Sequence, residues 1–407
     1  MSVQADAPLA LTPAERRASL SLSSVIGLRM LGLFLMLPVM AIGARDLPGG
    51  TDPTLVGLAL GVYGLTQAAL QIPFGMASDR FGRKPVIIFG LLVFAAGSLL
   101  AAVAPTIEAL VVARAIQGAG AVSAAVSAFL ADLTRDEVRA RAMAMVGGAI
   151  GLSFAISLVL APVVFGHFGL SGLFLLTASL AGAACLVVWR IPPAAKAGSA
   201  LGEPGLRVAD LLRLGQLNRL HVGIFSMMAV QTAMFVAIPL GLDSQGLPLA
   251  DHWMVYLPLL LLSFAAMVPI VFWAERKGRF RFAFLLGIGV LMTAMGVFLG
   301  AGAVWHWFLA IWVFMVGFNL LEALLPSWVS RVAPQQSRGM ALGLYTTAQS
   351  LGLFVGGAMG GWVAGRHGVA GIFMVCLLIL LFWLVVALGL REIGSRRASF
   401  DRPSAVG

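Results

Sequence analysis

The chain has 407 residues, 60% of them hydrophobic and only 11% charged. A soluble globular protein, with about 25% charged residues, is excluded by that balance. The net charge of +10 is spread over many short connecting segments, which argues against a nucleic-acid surface, where basic residues gather in one patch.

Residues 1–19 are expected to form a cytoplasmic tail. Apolar runs long enough to cross a bilayer as helices follow at roughly 20–43, 54–77, 85–104, 106–131, 140–165 and 170–190. In the first run, Ala41-Ile42-Gly43-Ala44 imitates a signal-peptidase site. The run starts before Arg29, however, and its removal would leave an odd number of helices, so it reads as a retained span. Residues 191–216 are rich in Pro, Gly, Ala and charge and read as a cytoplasmic linker. Further runs lie at roughly 217–241, 252–274, 282–303, 306–330, 339–364 and 370–391, with a tail at 392–407. The expected fold is an all-α membrane protein of twelve transmembrane helices in two six-helix bundles, 20–190 and 217–391. With both termini in the cytoplasm, 23 of the 27 Lys and Arg residues fall on the cytoplasmic side, as the positive-inside rule demands. An inner-membrane, multi-pass protein in contact with the lipid bilayer follows.

Cys185 and Cys376 lie within apolar runs and read as buried free thiols. The five histidines show no ligand spacing with Cys or Asp, so no metal and no cofactor is expected. No G-x-x-x-x-G-K-[ST] motif is present, so an ATP-driven pump would need a partner protein.

The two halves resemble each other. Arg141-Ala142-Met143-Ala144-Met145 opens the fifth run and Arg338-Gly339-Met340-Ala341-Leu342 the eleventh. His167-Phe168-Gly169-Leu170-Ser171-Gly172 follows the fifth, and Arg366-His367-Gly368-Val369-Ala370-Gly371 the eleventh. Duplicated halves of this kind suit alternating access, with a site between them near the midplane.

The segment Gly75-Met76-Ala77-Ser78-Asp79-Arg80-Phe81-Gly82-Arg83-Lys84-Pro85 resembles the signature between the second and third helices of the major facilitator superfamily. Arg114-Ala115-Ile116-Gln117-Gly118 resembles that superfamily's RxxQG motif. Leu28-Arg29-Met30-Leu31-Gly32 and Asn319-Leu320-Leu321-Glu322-Ala323-Leu324-Leu325-Pro326 resemble the drug:proton antiporter subfamily, closest to its YajR type. That type can carry a soluble C-terminal domain, which is not expected in a chain stopping at Gly407. The antiporters usually carry a Gly-Pro pair in the fifth span. Here Gly147, Gly148 and Gly151 are followed by Ala161-Pro162.

The resemblance implies a secondary transporter, monomeric in its family's manner, that exports small amphipathic compounds against protons. An importer or facilitator of a metabolite is the alternative within the fold. A membrane-embedded enzyme or assembly factor is a remote one, since one Glu and two Arg make no nucleophile–base pair. The resemblance also implies that Asp79 meets the N-terminus of the eleventh helix near Gly339 and Met340, and that Arg83 pairs with Asp132. Together these would latch the cytoplasmic side. Gly75 and Gly82 are expected where backbone turns tightly. Arg80 and Lys84 are read either as latch members or as topology signals.

Arg29, Arg114 and Glu322 are the ionisable residues deep inside apolar runs, and such residues usually serve function. Glu322 is the candidate proton carrier, because a carboxyl held away from water can exist protonated near neutral pH. A permanently neutralised partner of an arginine is the competing reading. Asn319, Gln117, Arg114 and Arg29 are its candidate helpers. Arg114 is read alternatively as a structural group bonding backbone carbonyls. Arg29 replaces the acids that many antiporters place in the first span, which suggests a different substrate charge or an ion pair closing the cavity. Tyr63, Gln67 and Gln71, Gln231 with Phe235, Tyr345 with Gln349, and Phe34 beside Met36 are candidate cavity residues. Interhelical hydrogen bonding explains the polar ones equally well. Gly118, Gly147, Gly151, Pro162, Gly352, Gly356 and Gly360 read as packing positions.

Overall fold

The computed structural model describes residues 10–192, 208–211, 213–334 and 338–392. Most of the expected 191–216 linker and the outer parts of both tails lie outside these. The described chain is helical, with no strand. Its helices are α1 (Pro13–Phe34), α2 (Met40–Gly43), α3 (Pro53–Phe81), α4 (Arg83–Ala102), α5 (Ile107–Ala119), α6 (Ser123–Asp132), α7 (Asp136–Arg190), α8 (Val208–Leu211), α9 (Gly215–Ser244), α10 (Trp253–Lys277), α11 (Phe280–Leu299), α12 (Val304–Val332) and α13 (Arg338–Leu388).

Among the described residues nine helical stretches are long and apolar enough to cross a membrane. Two of them, in α7 and α13, are each a pair of spans joined at one glycine. Gly169 has φ 63° and ψ −166°, and Gly368 has φ 66° and ψ −167°. Such backbone favours glycine, so the internal repeat extends to the same backbone turn at equivalent positions. Dividing those two stretches and adding α1 with α2, which is not among the nine, makes twelve spans.

Two spans expected to be continuous are broken. The first breaks at Leu35–Val39, before and after Pro38. The ring supplies no N–H, and bonds tighten ahead of it, Met36 N–H to Leu33 C=O at 3.3 Å and Leu37 N–H to Phe34 C=O at 3.1 Å. This helix also starts at Pro13, ahead of the expected 20, because Thr12 and Glu15 form a capping box there. The fourth span breaks at Gly120-Ala121-Val122. A Cβ on Gly120 would lie 2.4 Å from the Gly90 carbonyl oxygen, so close contact with α4 needs glycine here.

Helices α1 and α3–α7 pack into one half, and α9–α13 into the other. The halves meet chiefly where α3 lies against the first part of α13. Gly57 faces Gly357 and Gly361, Gly61 faces Phe354, and Gly64 faces Ser350. A Cβ on any of these three α3 glycines would stand 2.3–2.5 Å from an α13 backbone oxygen. Small residues let two helix backbones touch in this way.

The first half of α7 behaves differently. Gly147, Gly148 and Gly151 have nothing within 4 Å of where a Cβ would be, and neither does Gly343 on α13. The halves are thus closed against each other at the end carrying Arg45 and Asp243.

Candidate functional site

The turn between α3 and α4 is a single residue. Gly82, with φ 94° and ψ 151°, ends one helix and starts the next. Around it Arg83 is the hub. Its Nε donates to Asp132 at 2.8 Å and its Nη1 to Ser78 at 2.8 Å and to Asp79. Burial works against the Arg83 charge, but the hydrogen bond and charge of Asp132, with the charge of Asp79, outweigh it and raise its pKa. The implied Arg83–Asp132 pair is present. Asp79 is turned to Arg83 in its own half and is 66% exposed, rather than buried at the start of α13. Gly75 meets only the Ala124 methyl at 3.6 Å, an ordinary contact, so close packing does not require glycine there in this conformation. Arg80 stacks over Phe81.

Lys84 has a structural partner. Its ammonium donates to the Trp189 and Ile191 carbonyls at 3.0 and 2.6 Å, capping the end of α7. In the other half Arg281, near the start of α11, donates to Leu388 C=O at 2.8 Å at the end of α13. The same cationic cap closes the last helix of each half.

Deeper in the first half, two guanidinium groups flank one phenol. Arg29 is 1% exposed. Its Nη1 donates to Ser123 Oγ at 2.9 Å, and its Nη2 to Tyr63 Oη at 2.6 Å and Gln67 Oε1 at 3.4 Å. Arg114 is fully buried. Its Nε donates to Ala59 C=O at 3.1 Å and its Nη1 to Gln117 Oε1, whose amide donates onward to Ser98 Oγ at 2.8 Å. Their Cζ atoms lie 6.0 and 5.1 Å from the Tyr63 ring centre. The two charges are therefore within about 11 Å of each other, a repulsion of about 1.5 kcal/mol at an effective dielectric near 20. No carboxylate among the described residues pairs with either, and Arg29 Nε and Arg114 Nη2 have no partner. Gly118 lets α5 approach here, since a Cβ would meet the Tyr63 carbonyl oxygen at 2.2 Å.

The second half holds the complementary group. Glu322 on α12 is partly exposed, while its Oε2 is buried without a partner. Tyr345 on α13 is its electrostatic neighbour and also has a buried, unpartnered hydroxyl. Asn319 does not serve Glu322. Its amide donates to Ser263 Oγ on α10 at 2.8 Å. Gln349 reaches Met228 Sδ at 3.7 Å, and Gln231 is buried. Between the halves Gln71 donates to Thr346 Oγ1 at 3.3 Å. An aromatic cluster spans the same boundary: Phe154 lies 5.3 Å from Phe34, 6.0 Å from Phe235 and 5.9 Å from Phe318, between ring centres.

Comparison with known proteins agrees with this architecture. The family model described as Major Facilitator Superfamily matches residues 22–357 and 252–405. The chain belongs to the major facilitator superfamily. It is 40% identical over 390 residues to the inner membrane transport protein YajR of Escherichia coli (strain K12), covering 94% of this chain and 85% of the relative. It is 30% identical to the multidrug resistance protein MdtH of Yersinia enterocolitica, over 82% of this chain and 83% of that one. A D-xylose-proton symporter of known structure superposes with a TM-score of 0.74 at 13% identity, over 92% of this chain and 98% of the other. That last likeness is one of fold.

Within this facilitator, several expected cavity residues have other duties. Tyr63 and Gln67 are buried acceptors for Arg29, and Gln71 bridges the halves. Gly352 and Gly356 seat α13 on α9, where a Cβ would meet the Phe225 and Ala229 carbonyl oxygens at 2.3 and 2.2 Å, and Gly360 lies against Ala233. Pro162 is buried in α7. Ser123, Phe154, Phe318 and the Arg45–Asp243 pair carried no signal in the sequence, because an isolated Ser, Phe or loop charge has no pattern until its partners are known.

Proposed function

We propose that this facilitator is a proton-coupled antiporter that exports small amphipathic compounds by alternating access, with Glu322 as the proton-carrying group. The reading rests on one observation above the rest. Among the described residues, the one carboxyl set inside the membrane-spanning helices, away from their ends, presents a buried oxygen with no hydrogen-bond or ion-pair partner, beside an equally unpartnered Tyr345. An acid whose inner oxygen is buried with nothing to neutralise it is suited to carry a proton rather than a fixed charge. Its position in a two-half bundle lets alternating access supply a route for that proton.

With the positive-inside rule both termini face the cytoplasm, and the closed Arg45–Asp243 end faces outward. The two bundles, 20–190 and 217–391, then rock about the α3–α13 contact, and the monomer is the working unit. One charge entering through 100 mV supplies about 2.3 kcal/mol and each pH unit about 1.4. One proton per cycle thus sustains a concentration ratio of several hundred.

Inverted vesicles with an acidic interior provide the test. Gradient-driven accumulation of amphipathic dyes that Glu322→Gln abolishes is the expected result. Accumulation that the variant retains in full moves the proton site elsewhere, and no accumulation of any dye removes the export reading.

A further inference from the structure

We propose that the molecule carried is an organic anion, an amphipathic compound bearing a carboxylate or similar acidic group, and that Arg29 selects it. The inference rests on the transport reading above and names its substrate class.

The argument starts from charge. Apart from Glu322, every Asp and Glu among the described residues sits at a helix end or in a connecting segment. Arg29 and Arg114 therefore place two positive charges inside the first half, and only neutral acceptors surround them. A buried cation without a counter-ion is costly, and neutral donors would hold Ser123, Tyr63, Gln67 and the Ala59 carbonyl at lower desolvation cost. The charges persist where none of the described residues neutralises them, and an anion arriving from outside the chain does so. When Glu322 is protonated, the facing half contributes no negative charge, and the space between the halves is positive overall.

Arg29 is the one of the two with a partly exposed hydrogen-bond partner. Tyr63, which accepts from its Nη2, shares a buried cluster with Leu353 of α13. Ser123, which accepts from its Nη1, is the partly exposed member of the set. An acidic group that displaces the Ser123 hydroxyl exchanges a neutral acceptor for a charged one on the same N–H, and charge-assisted bonds are roughly twice as strong. Aromatic rings at Phe34, on the helix of Arg29, and at Phe154 of α7 offer an apolar wall. Transport also benefits: an anion leaving and a proton entering both run with an inside-negative potential.

The test uses the full-length chain in detergent with three matched probes: 1-naphthaleneacetate, its neutral amide, and 1-naphthylmethylammonium. Thermal unfolding midpoints report binding without requiring transport. The acid should raise the midpoint and the ammonium should not. In Arg29→Gln the half-saturating acid concentration should rise about tenfold, while Arg29→Lys, which keeps the charge, should retain the preference for acid over ammonium. Should Arg29→Gln not fold, the lysine variant and the wild-type order of the probes decide. Stabilisation by the ammonium in preference to the acid, equal stabilisation of Arg29→Gln by the acid, or stabilisation by none of the three overturns the inference. Proteoliposomes separate this from the transport reading. Proton-driven accumulation with no preference for the acid sinks the anion and keeps the antiporter. Acid binding with no proton-driven accumulation of any probe keeps the anion site and sinks the antiporter.

Discussion

The Arg45 guanidinium and the Asp243 carboxylate meet at 2.8 Å across the boundary between the two halves. Arg45 follows α2, and Asp243 lies in the last turn of α9, so the pair ties the first span to the seventh at the closed end. Both side chains are more than a third exposed, and such pairs contribute about 0.2–1 kcal/mol. Asp243→Asn should therefore shift the ratio of conformers by up to about fivefold toward the state open at this end. Labelling of a cysteine placed at Val56, beside this pair, should speed up accordingly. Reversing both charges, Arg45→Asp with Asp243→Arg, should restore the wild-type rate.

The glycines of α3 and α7 should respond in opposite ways. A Cβ on Gly57 would stand 2.3 Å from the Gly357 carbonyl oxygen, so Gly57→Val should force the closed end apart and lower the thermal midpoint. Gly147 has open space around it, so Gly147→Val should leave the midpoint nearly unchanged. If α7 closes against the other half during the cycle, that same variant should still lose transport. A Gly147→Val protein with full transport would show that this face never closes.

Much of this fold was legible in the sequence because lipid imposes simple rules: about 20 apolar residues per span, and basic residues on one side. The repeat of Gly169 in Gly368 was legible too, whereas the backbone turn the two share emerged only in the structure. The breaks at Leu35–Val39 and Gly120–Val122 were not, since apolar composition is the same on either side of a break. Arg29, Arg114 and Glu322 stood out by cost alone. Which groups they touch depends on helix rotation, and one turn of rotation separates an Asn319 that serves Glu322 from one that serves Ser263.

The start of α1 carries a pH-dependent clasp. Glu15 is 6% exposed, and it accepts from Arg135 Nε at 2.8 Å and Arg135 N–H at 3.1 Å, with Thr12 N–H at 2.8 Å. The Arg135 hydrogen bond holds its carboxyl well below the usual carboxylate range, against an opposing effect of burial. A depressed folded-state pKa contributes stability above the unfolded value, and that stability is lost as pH falls toward the folded one. The wild-type midpoint should thus decline below about pH 4.5, the ordinary carboxyl value. Glu15→Gln should lie a few degrees lower at pH 7 and show a shallower decline in acid. Equal midpoints at pH 7 would remove the clasp from the account.

Tyr345 separates a proton site from a mere packing position. Its hydroxyl is buried without a partner, and removing an unsatisfied buried polar group is neutral or stabilising. Tyr345→Phe should accordingly keep or slightly raise the thermal midpoint. The hydroxyl is also the electrostatic neighbour of Glu322. If the two exchange a hydrogen bond when Glu322 changes protonation during the cycle, the phenylalanine variant should shift the pH at which transport is half-maximal. Its maximal rate should fall less than in Glu322→Gln. A Tyr345→Phe protein with an unchanged midpoint and an unchanged pH profile would confine Tyr345 to packing and leave Glu322 to titrate against water alone.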